Sequence, residues 1–167
     1  MADELNRRNG NSNRITREYL DSLLIETRYM NAGIASTEYE LFGEKFDTPV
    51  MTAALSHLNR EILYSKIRHA EHRGLFAVGI DIDHPFTTDG TPDIVEGFLM
   101  KPLKTKELIE IKKMTKLPVI IKGVLSVYDA KEAVKGGADG IVLPHHNNRI
   151  EYAVPPLMAL PEISRAV

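Results

Sequence analysis

Short apolar runs alternate with helical segments along most of this 167-residue chain, and this alternation constrains the fold more than any other feature of the sequence. The runs cover residues 49–55, 75–81, 117–124 and 140–144. Near-continuous apolar runs of this length are typical of parallel strands that are covered on both faces. We therefore predict an α/β fold with about four parallel strands and flanking helices, which is either a partial (β/α)₈ barrel or a small α/β sheet with its own packing.

Capping residues predict where the helices between these runs begin and end. The first 14 residues are polar, and we expect a flexible arm over residues 1–14 followed by one partial-barrel domain over residues 15–167. A further helix is expected to begin near Pro155. The other predicted helices run from Thr16 to about Met30, from Asn59 to Gly74, from Thr105 to about Lys116 and from Ser126 to Gly136.

Composition excludes several classes of function. The chain has no cysteine, so disulfides, thiolate catalysis and cysteine-ligated metals are ruled out. Its net charge of -2 gives no reason to expect nucleic acid or an anionic membrane as a partner. The N-terminal residues lack the apolar stretch of a signal peptide, and a cytoplasmic location is expected.

Polar and charged residues follow the predicted strands at their carboxyl ends, where parallel α/β folds gather their working residues. Lys122 ends an otherwise apolar strand, and burying such a charge costs several kcal/mol unless it meets a partner or a ligand. Three roles are open for it. Lys122 could pair with an acidic residue, form a Schiff base, or hold negative charge on an electron-accepting cofactor.

Two adjacent histidines follow the last strand. His145 and His146 should point to opposite faces in extended backbone, so only one of them is expected to face the site. A histidine that acts as a general base needs a partner to orient its ring, and Asp81 is the predicted partner. Arg149 offers a two-pronged hydrogen-bonding group for a carboxylate substrate.

A metal site is a weaker alternative at the same strand ends. Asp81, Asp83 and His84 could ligate a divalent cation, but the sequence shows no second cluster at metal-ligand spacing, and we predict none. His69 and His72 lie among charged residues on a predicted helix, which indicates a solvated face.

The segment LPVIIKGVLSVYDAKEAVKGGADGIVLPHHNNR, residues 117–149, resembles the stretch LPxxxKGVxxxxDAxxAxxxGxxGIxVSNHGxR of the FMN-dependent 2-hydroxy-acid dehydrogenases and oxidases. This family includes the glycolate and lactate oxidases. Residues 152–163 resemble the next segment of the family's chains, and residues 27–54 resemble the approach to its first barrel strand. Residues 77–85, AVGIDIDHP, resemble the strand that carries its VDxP motif.

The resemblance implies a TIM-barrel ancestry, FMN as cofactor and a small 2-hydroxy acid as substrate. Lys122 matches the lysine that contacts the flavin, and the backbone of Ala53 and Ala54 matches the strand end that lies against it. His146 matches the histidine that takes the substrate proton. Asp81 is taken as the aspartate that pairs with it, and Arg149 as the arginine that binds the substrate carboxylate.

The sequence also departs from the family pattern. The family's SNHGG is replaced by residues 144–148, PHHNN, and Gly79 is taken to stand where the family has a flavin-contacting threonine. Two βα units of the family are missing between Leu58 and Asn59, and its phosphate-binding strands have no counterpart up to Val167. FMN binding should therefore be weakened or lost unless the phosphate site is supplied elsewhere.

Two alternatives to an oxidoreductase remain open. The first is a degenerate, non-enzymatic half-barrel, whose open sheet edges could be covered by forming a homo-oligomer. The second is a lyase that uses Lys122 as a Schiff-base nucleophile.

Overall fold

The computed structural model describes residues 10–54, 59–146 and 150–167. A parallel sheet lies at the centre of this part of the chain, with helices packed on one face. In chain order the elements are α1 (Ser12–Ser22), β1 (Tyr39–Leu41), β2 (Glu44–Phe46), α2 (Arg60–His72), β3 (Val78–Asp81), β4 (Ile94–Val95), β5 (Phe98–Leu99), α3 (Thr105–Met114), β6 (Val119–Lys122), α4 (Val127–Lys135), β7 (Gly140–Val142) and α5 (Pro156–Ala166).

Within the described residues the parallel sheet has three strands in the order β3-β6-β7. Its register places Asp81 opposite Lys122, and Lys122 opposite Val142. The three strands therefore end at the same edge, and the loops after them meet there. The predicted α/β fold with parallel strands and flanking helices is confirmed.

The core lies between this sheet and the helices. Leu63, Ile67 and Ala70 are buried along one face of α2, because residues three and four positions apart share a helix face. Each fully buried leucine or isoleucine contributes about 1.5–3 kcal/mol relative to an exposed one. The remaining core residues are Val78, Ile80, Leu108, Ile111, Val119, Ile121, Val124, Ala130, Ala133 and Ile163.

The prediction of a strand over residues 49–55 is wrong for residues 49–54, and residue 55 lies outside the described residues. Ala54 lies over the face of β3 instead of beside its edge. A Cβ on Gly79 would come within 3.1 Å of the Ala54 Cβ. A segment that crosses the face of a sheet cannot form ladder hydrogen bonds with it, and here only Ala54 lies against β3, while Val50 and Met51 are exposed.

Local capping chemistry placed most helix ends correctly. Asn59 caps α2 through hydrogen bonds from the backbone N–H groups of Glu61 and Ile62, and Ser126 caps α4, as predicted. Helix α3 is capped at Lys104, one residue before the predicted Thr105. No helix in the described part of the chain is long and apolar enough to cross a membrane.

The first helix and the arm before it differ from the prediction. Asn11, not Thr16, caps α1, and the helix ends at Ser22 instead of near Met30. Ser12 is 2% exposed; its hydroxyl donates to the carbonyl of Ile150 and accepts from the N–H of Ala153 at 3.0 Å. A flexible arm is therefore wrong for residues 10–14, and residues 1–9 lie outside the described residues.

Two short antiparallel hairpins were not predicted. The loop between β1 and β2 is Phe42-Gly43, and the loop between β4 and β5 is Glu96-Gly97. All four residues have positive φ angles, between 49° and 84°. Such two-residue loops form type I′ turns, which suit the twist of a hairpin, and glycine at their second position is the sequence signal for them.

An ion pair joins the N-terminal ends of α2 and α3. Arg60 Nε donates to Glu107 Oε1 and Arg60 Nη2 donates to Glu107 Oε2, each at 2.9 Å. Glu107 Oε2 also accepts from the backbone N–H of Lys104 at 2.8 Å. The hydrogen bonds from Arg60 are the main reason that the pKa of Glu107 lies below its ordinary value.

Replacing Glu107 tests this ion pair. Glu107→Gln is expected to lower the free energy of unfolding near pH 7 by about 1–2 kcal/mol. A carboxyl whose pKa is lowered by folding stabilises the fold above its unfolded-state pKa and loses that contribution as the pH falls through its folded-state pKa. The difference from the wild type should therefore shrink as the pH falls below 4.5, the ordinary value for Glu107.

Urea unfolding of both proteins, near neutral pH and in acid, measures this difference. Glu110→Gln, an exposed position on the same helix, is the matched control and should change stability by less than about 0.5 kcal/mol. A loss for Glu107→Gln that is equally large at both pH values would contradict the assignment.

Candidate active site

The carboxyl ends of the three parallel strands bring together the polar residues that the sequence singled out. Strand β3 ends at Asp81 and continues into a loop with Asp83 and His84, while β6 ends at Lys122. His146 stands in the loop after β7. Because the strands are parallel and in register, these side chains converge at one edge of the sheet.

Lys122 and Asp81 form an ion pair across the two neighbouring strands. Lys122 Nζ donates to Asp81 Oδ2 at 2.5 Å, and the Asp81 side chain is only 4% exposed. Burial by itself would raise the pKa of Asp81. Hydrogen bonds from Asp83 and Lys122, together with the charge of Lys122, outweigh burial and hold this pKa below its ordinary value. The sequence left three roles open for Lys122. The structure shows the first of them, an ion pair with an acidic residue.

His146 is paired with Asp83, and the predicted pairing of His146 with Asp81 is wrong. The distance between His146 Nδ1 and Asp83 Oδ1 is 2.6 Å. Asp81 is directly opposite Lys122 in the sheet register and is held there, whereas Asp83 lies two residues further along and reaches the loop after β7. Burial and the neighbouring Asp81 carboxyl raise the pKa of Asp83, and the hydrogen bond with His146 opposes them.

The spacing inside the VDxP motif could have identified Asp83. The motif places its aspartate two residues before a proline, and Pro85 therefore selects Asp83, with Ile82 at the valine position. This alignment moves the family's flavin-contacting threonine from Gly79 to Asp81. A carboxylate thus stands where that family has a neutral hydroxyl, directly beside Lys122.

Gly123 lets the loop with Asp83 approach the end of β6. Its φ angle is +117°, a region that side chains other than glycine rarely adopt. A Cβ at this position would lie 2.9 Å from the backbone nitrogen of Asp83 and 2.9 Å from Ile82 Cγ1. The glycine after Lys122 therefore provides the space in which Asp83 is held.

His84 is the site residue whose position the sequence analysis did not foresee. Its Nε2 lies 3.2 Å from the Nε2 of His146, and the two rings meet edge to face with centroids 4.5 Å apart. On its other side, His84 Nδ1 lies 3.9 Å from Asp93 Oδ2. The adjacent aspartate and histidine between Ile82 and Pro85 mark this loop as chemically unusual, but only the fold brings His146 to it.

The other predicted site residues have different outcomes. His145 Nε2 lies 3.2 Å from the carbonyl oxygen of Ser12, whereas His146 contacts Asp83 and His84, and both histidines line one small cavity. Ala54 covers β3 next to Gly79, and Ala53 is exposed beside it. Arg149 lies outside the described residues.

A small cavity adjoins the His146–Asp83 pair. Its volume is about 40 Å³, which is room for a few water-sized groups. Apolar side chains cover much of its wall, so polar atoms of a small ligand would meet mainly the two paired residues. The lining residues are Ser12, Asp83, Leu125, Pro144, His145, His146, Ile150, Ala153 and Val154.

Replacing Lys122 tests the ion pair with Asp81. Lys122→Met leaves a buried carboxylate without its ammonium partner and is expected to lower the free energy of unfolding by about 3–5 kcal/mol. The double variant Asp81→Asn with Lys122→Met removes both charges and should recover at least half of that loss. Urea unfolding measures both values, and equal losses in the single and double variants would contradict the pair.

Comparison with known proteins bears out the resemblance. Residues 88–167 match the family described as FMN-dependent dehydrogenase. The chain is 27% identical over 147 residues to 2-hydroxyacid oxidase 1 of Mus musculus, covering 65% of this chain and 40% of that protein. It is 31% identical over 128 residues to glycolate oxidase 3 of Arabidopsis thaliana, covering 73% of this chain and 35% of that protein.

Solved structures agree on the fold. A mandelate oxidase variant with an FMN adduct matches with a TM-score of 0.76 and 21% identity, over 96% of this chain and 68% of that one. Mandelate oxidase itself matches with a TM-score of 0.75. The partial TIM-barrel architecture is thereby confirmed. The chain spans 40% or less of the length of the mouse and Arabidopsis relatives.

Proposed function

This chain is a relative of the FMN-dependent 2-hydroxy-acid dehydrogenases and oxidases, and we propose on that basis that it acts in the FMN-dependent oxidation of a small 2-hydroxy acid to a 2-oxo acid. The observation that carries the proposal is the His146–Asp83 pair, held at 2.6 Å at the strand ends beside Lys122. A base with an orienting carboxylate, next to a half-buried cation, is the arrangement that this reaction requires.

The described residues fit the ring portion of a flavin. Lys122 places an ammonium at the end of β6, where it would face the electron-rich edge of the ring, and Ala54 offers a small side chain over β3. Bound FMN would supply the two-electron acceptor that no amino-acid side chain provides. The Asp81 carboxylate partly neutralises the Lys122 ammonium. Lys122 would therefore stabilise negative charge on the cofactor less than an unpaired lysine would.

His146 is the proposed base. Asp83 holds its Nδ1, so Nε2 is the atom that would take the proton of the substrate hydroxyl. Asp83 would then stabilise the positively charged ring that results. Nε2 now faces His84 at 3.2 Å, so the His84 ring must turn aside for a substrate hydroxyl to take its place. Arg149 is proposed to bind the substrate carboxylate.

A degenerate, non-enzymatic half-barrel is the second candidate, and one specific observation favours it. Lys122 is neutralised by Asp81, and the Nε2 of His146 faces His84, so the two groups that would act on cofactor and substrate are both engaged within the protein. A Schiff-base lyase has less support, because an ammonium held in an ion pair must first lose its proton before it can attack a carbonyl.

Flavin reduction tests the proposal. Purified chain supplied with FMN should develop a bound-flavin absorbance band that is bleached by glycolate or lactate without oxygen. His146→Gln is expected to slow this bleaching by about 10²–10⁴-fold, the usual contribution of a general base. His72→Gln is the matched control, because this histidine is exposed on α2 and is not among the residues lining the cavity beside His146, and its rate should change by less than about twofold.

The variant Asp83→Asn distinguishes the role of Asp83 from that of Asp81. It should slow bleaching more than Asp81→Asn does, because Asp83 orients the base while Asp81 pairs with Lys122. If the protein takes up no FMN, the oxidoreductase proposal fails. Sedimentation would then show whether the chain forms the dimer expected of a half-barrel that covers its open edges.

A further inference from the structure

Four side chains that can ligate a metal meet at the carboxyl edge of the sheet. Asp81, Asp83, His84 and His146 each offer one ligand atom, and these atoms all lie within 4.8 Å of one another. The sequence predicted no metal site, because Asp81, Asp83 and His84 had no further ligand at suitable spacing. The fold supplies that ligand, since His146 comes from a loop more than 60 positions away.

Each histidine has a carboxylate near its Nδ1, at hydrogen-bond distance for His146 and beyond it for His84. His146 Nδ1 lies 2.6 Å from Asp83 Oδ1, and His84 Nδ1 lies 3.9 Å from Asp93 Oδ2. The Nε2 atoms of the two rings face each other at 3.2 Å. A histidine whose Nδ1 faces a carboxylate presents Nε2 as its ligand atom, and metal-binding histidines are commonly held in this way.

The distance between the two Nε2 atoms is close to the spacing that a metal requires. Two nitrogens about 2.0–2.1 Å from Zn²⁺ at the tetrahedral angle lie roughly 3.3–3.4 Å apart. The observed 3.2 Å differs from this by a few tenths of an ångström, which small rotations of the His84 and His146 rings would supply. A single proton shared between the rings is the competing account of the same distance.

The combination of imidazole and carboxylate ligands indicates which class of cation would bind. Asp81 and Asp83 place two carboxyl groups next to the histidines, and among the described residues Lys122 forms its ion pair with Asp81, at 2.5 Å. Two imidazoles with a carboxylate suit Zn²⁺, Co²⁺, Ni²⁺ or Fe²⁺, whereas Mg²⁺ and Ca²⁺ prefer oxygen ligands.

We propose that His84 and His146, with a carboxylate oxygen from Asp81 or Asp83, bind a divalent transition-metal cation of the Zn²⁺ class. The site does not depend on a flavin. A cation on the Nε2 of His146 would occupy the atom proposed to take the substrate proton, so metal binding and substrate oxidation would exclude each other.

Calorimetric titration of the full chain, stripped of metal and free of FMN, with Zn²⁺ tests the proposal. One equivalent of Zn²⁺ per chain should bind, and His84→Gln should weaken that binding by at least about tenfold. The double variant His69→Gln with His72→Gln is the matched control. These two histidines are exposed on α2, one turn apart, and their loss should leave the affinity unchanged.

A second measurement uses the unaltered protein, which covers the case in which His84→Gln does not fold. On addition of Zn²⁺, the ring nitrogen resonances of His84 and His146 should shift together, while those of His69 and His72 stay in place. The proposed site is wrong if Zn²⁺ does not bind, or if binding is lost in the α2 double variant. It is also wrong if the resonances of His84 and His146 do not change. Because no flavin is present, these results are independent of the FMN test.

Discussion

The ion pair between Asp81 and Lys122 determines how the other polar residues at this edge are arranged. The sheet register places the two residues opposite each other at the ends of β3 and β6, and Asp81 is 4% exposed there. A carboxylate so deeply buried is stable only with a partner, and in the described part of the chain Lys122 forms its ion pair. Asp83 is therefore the aspartate that remains for His146.

Backbone geometry supports this division of roles. Gly123 follows Lys122 with a φ angle of +117°, and the backbone of Asp83 lies within 3 Å of the place where a Cβ would stand. The loop after β3 can thus lie against the end of β6, which brings Asp83 and His84 towards His146. A residue with a side chain at position 123 would push this loop away. The conformation of one glycine therefore sets the geometry of the site.

His84 gives the site two mutually exclusive uses. With its ring against the Nε2 of His146, the pair can hold a cation; with the ring turned aside, His146 is open to a substrate hydroxyl. The second use is the proposed function, in which His146 would be the base and Asp83 its orienting carboxylate. The first use depends on His84, which stands at the variable position of the VDxP motif.

Local signals in the sequence placed the helices well, because a cap depends on residues within one turn. Asn59 and Ser126 cap their helices as predicted, and Asn11 caps α1 by the same local chemistry in place of the predicted Thr16. The contacts of Ser12 with Ile150 and Ala153 are long-range and could not be read from sequence spacing. The apolar run at residues 49–54 failed as a strand for a related reason. Apolar composition did not show where this segment lies: Ala54 crosses the face of β3, and Val50 and Met51 are exposed.

By itself, the sequence determined the α/β class, most helix ends, the family resemblance, and the presence of Lys122 and His146 at strand ends. These come from local periodicity, capping and motif spacing. Only the tertiary structure decided the partners: Asp81 with Lys122, Asp83 with His146, and His84 against His146. The physical reason is that each pairing joins residues more than 40 positions apart in the sequence. Strand register, and not sequence proximity, determines which of these side chains meet.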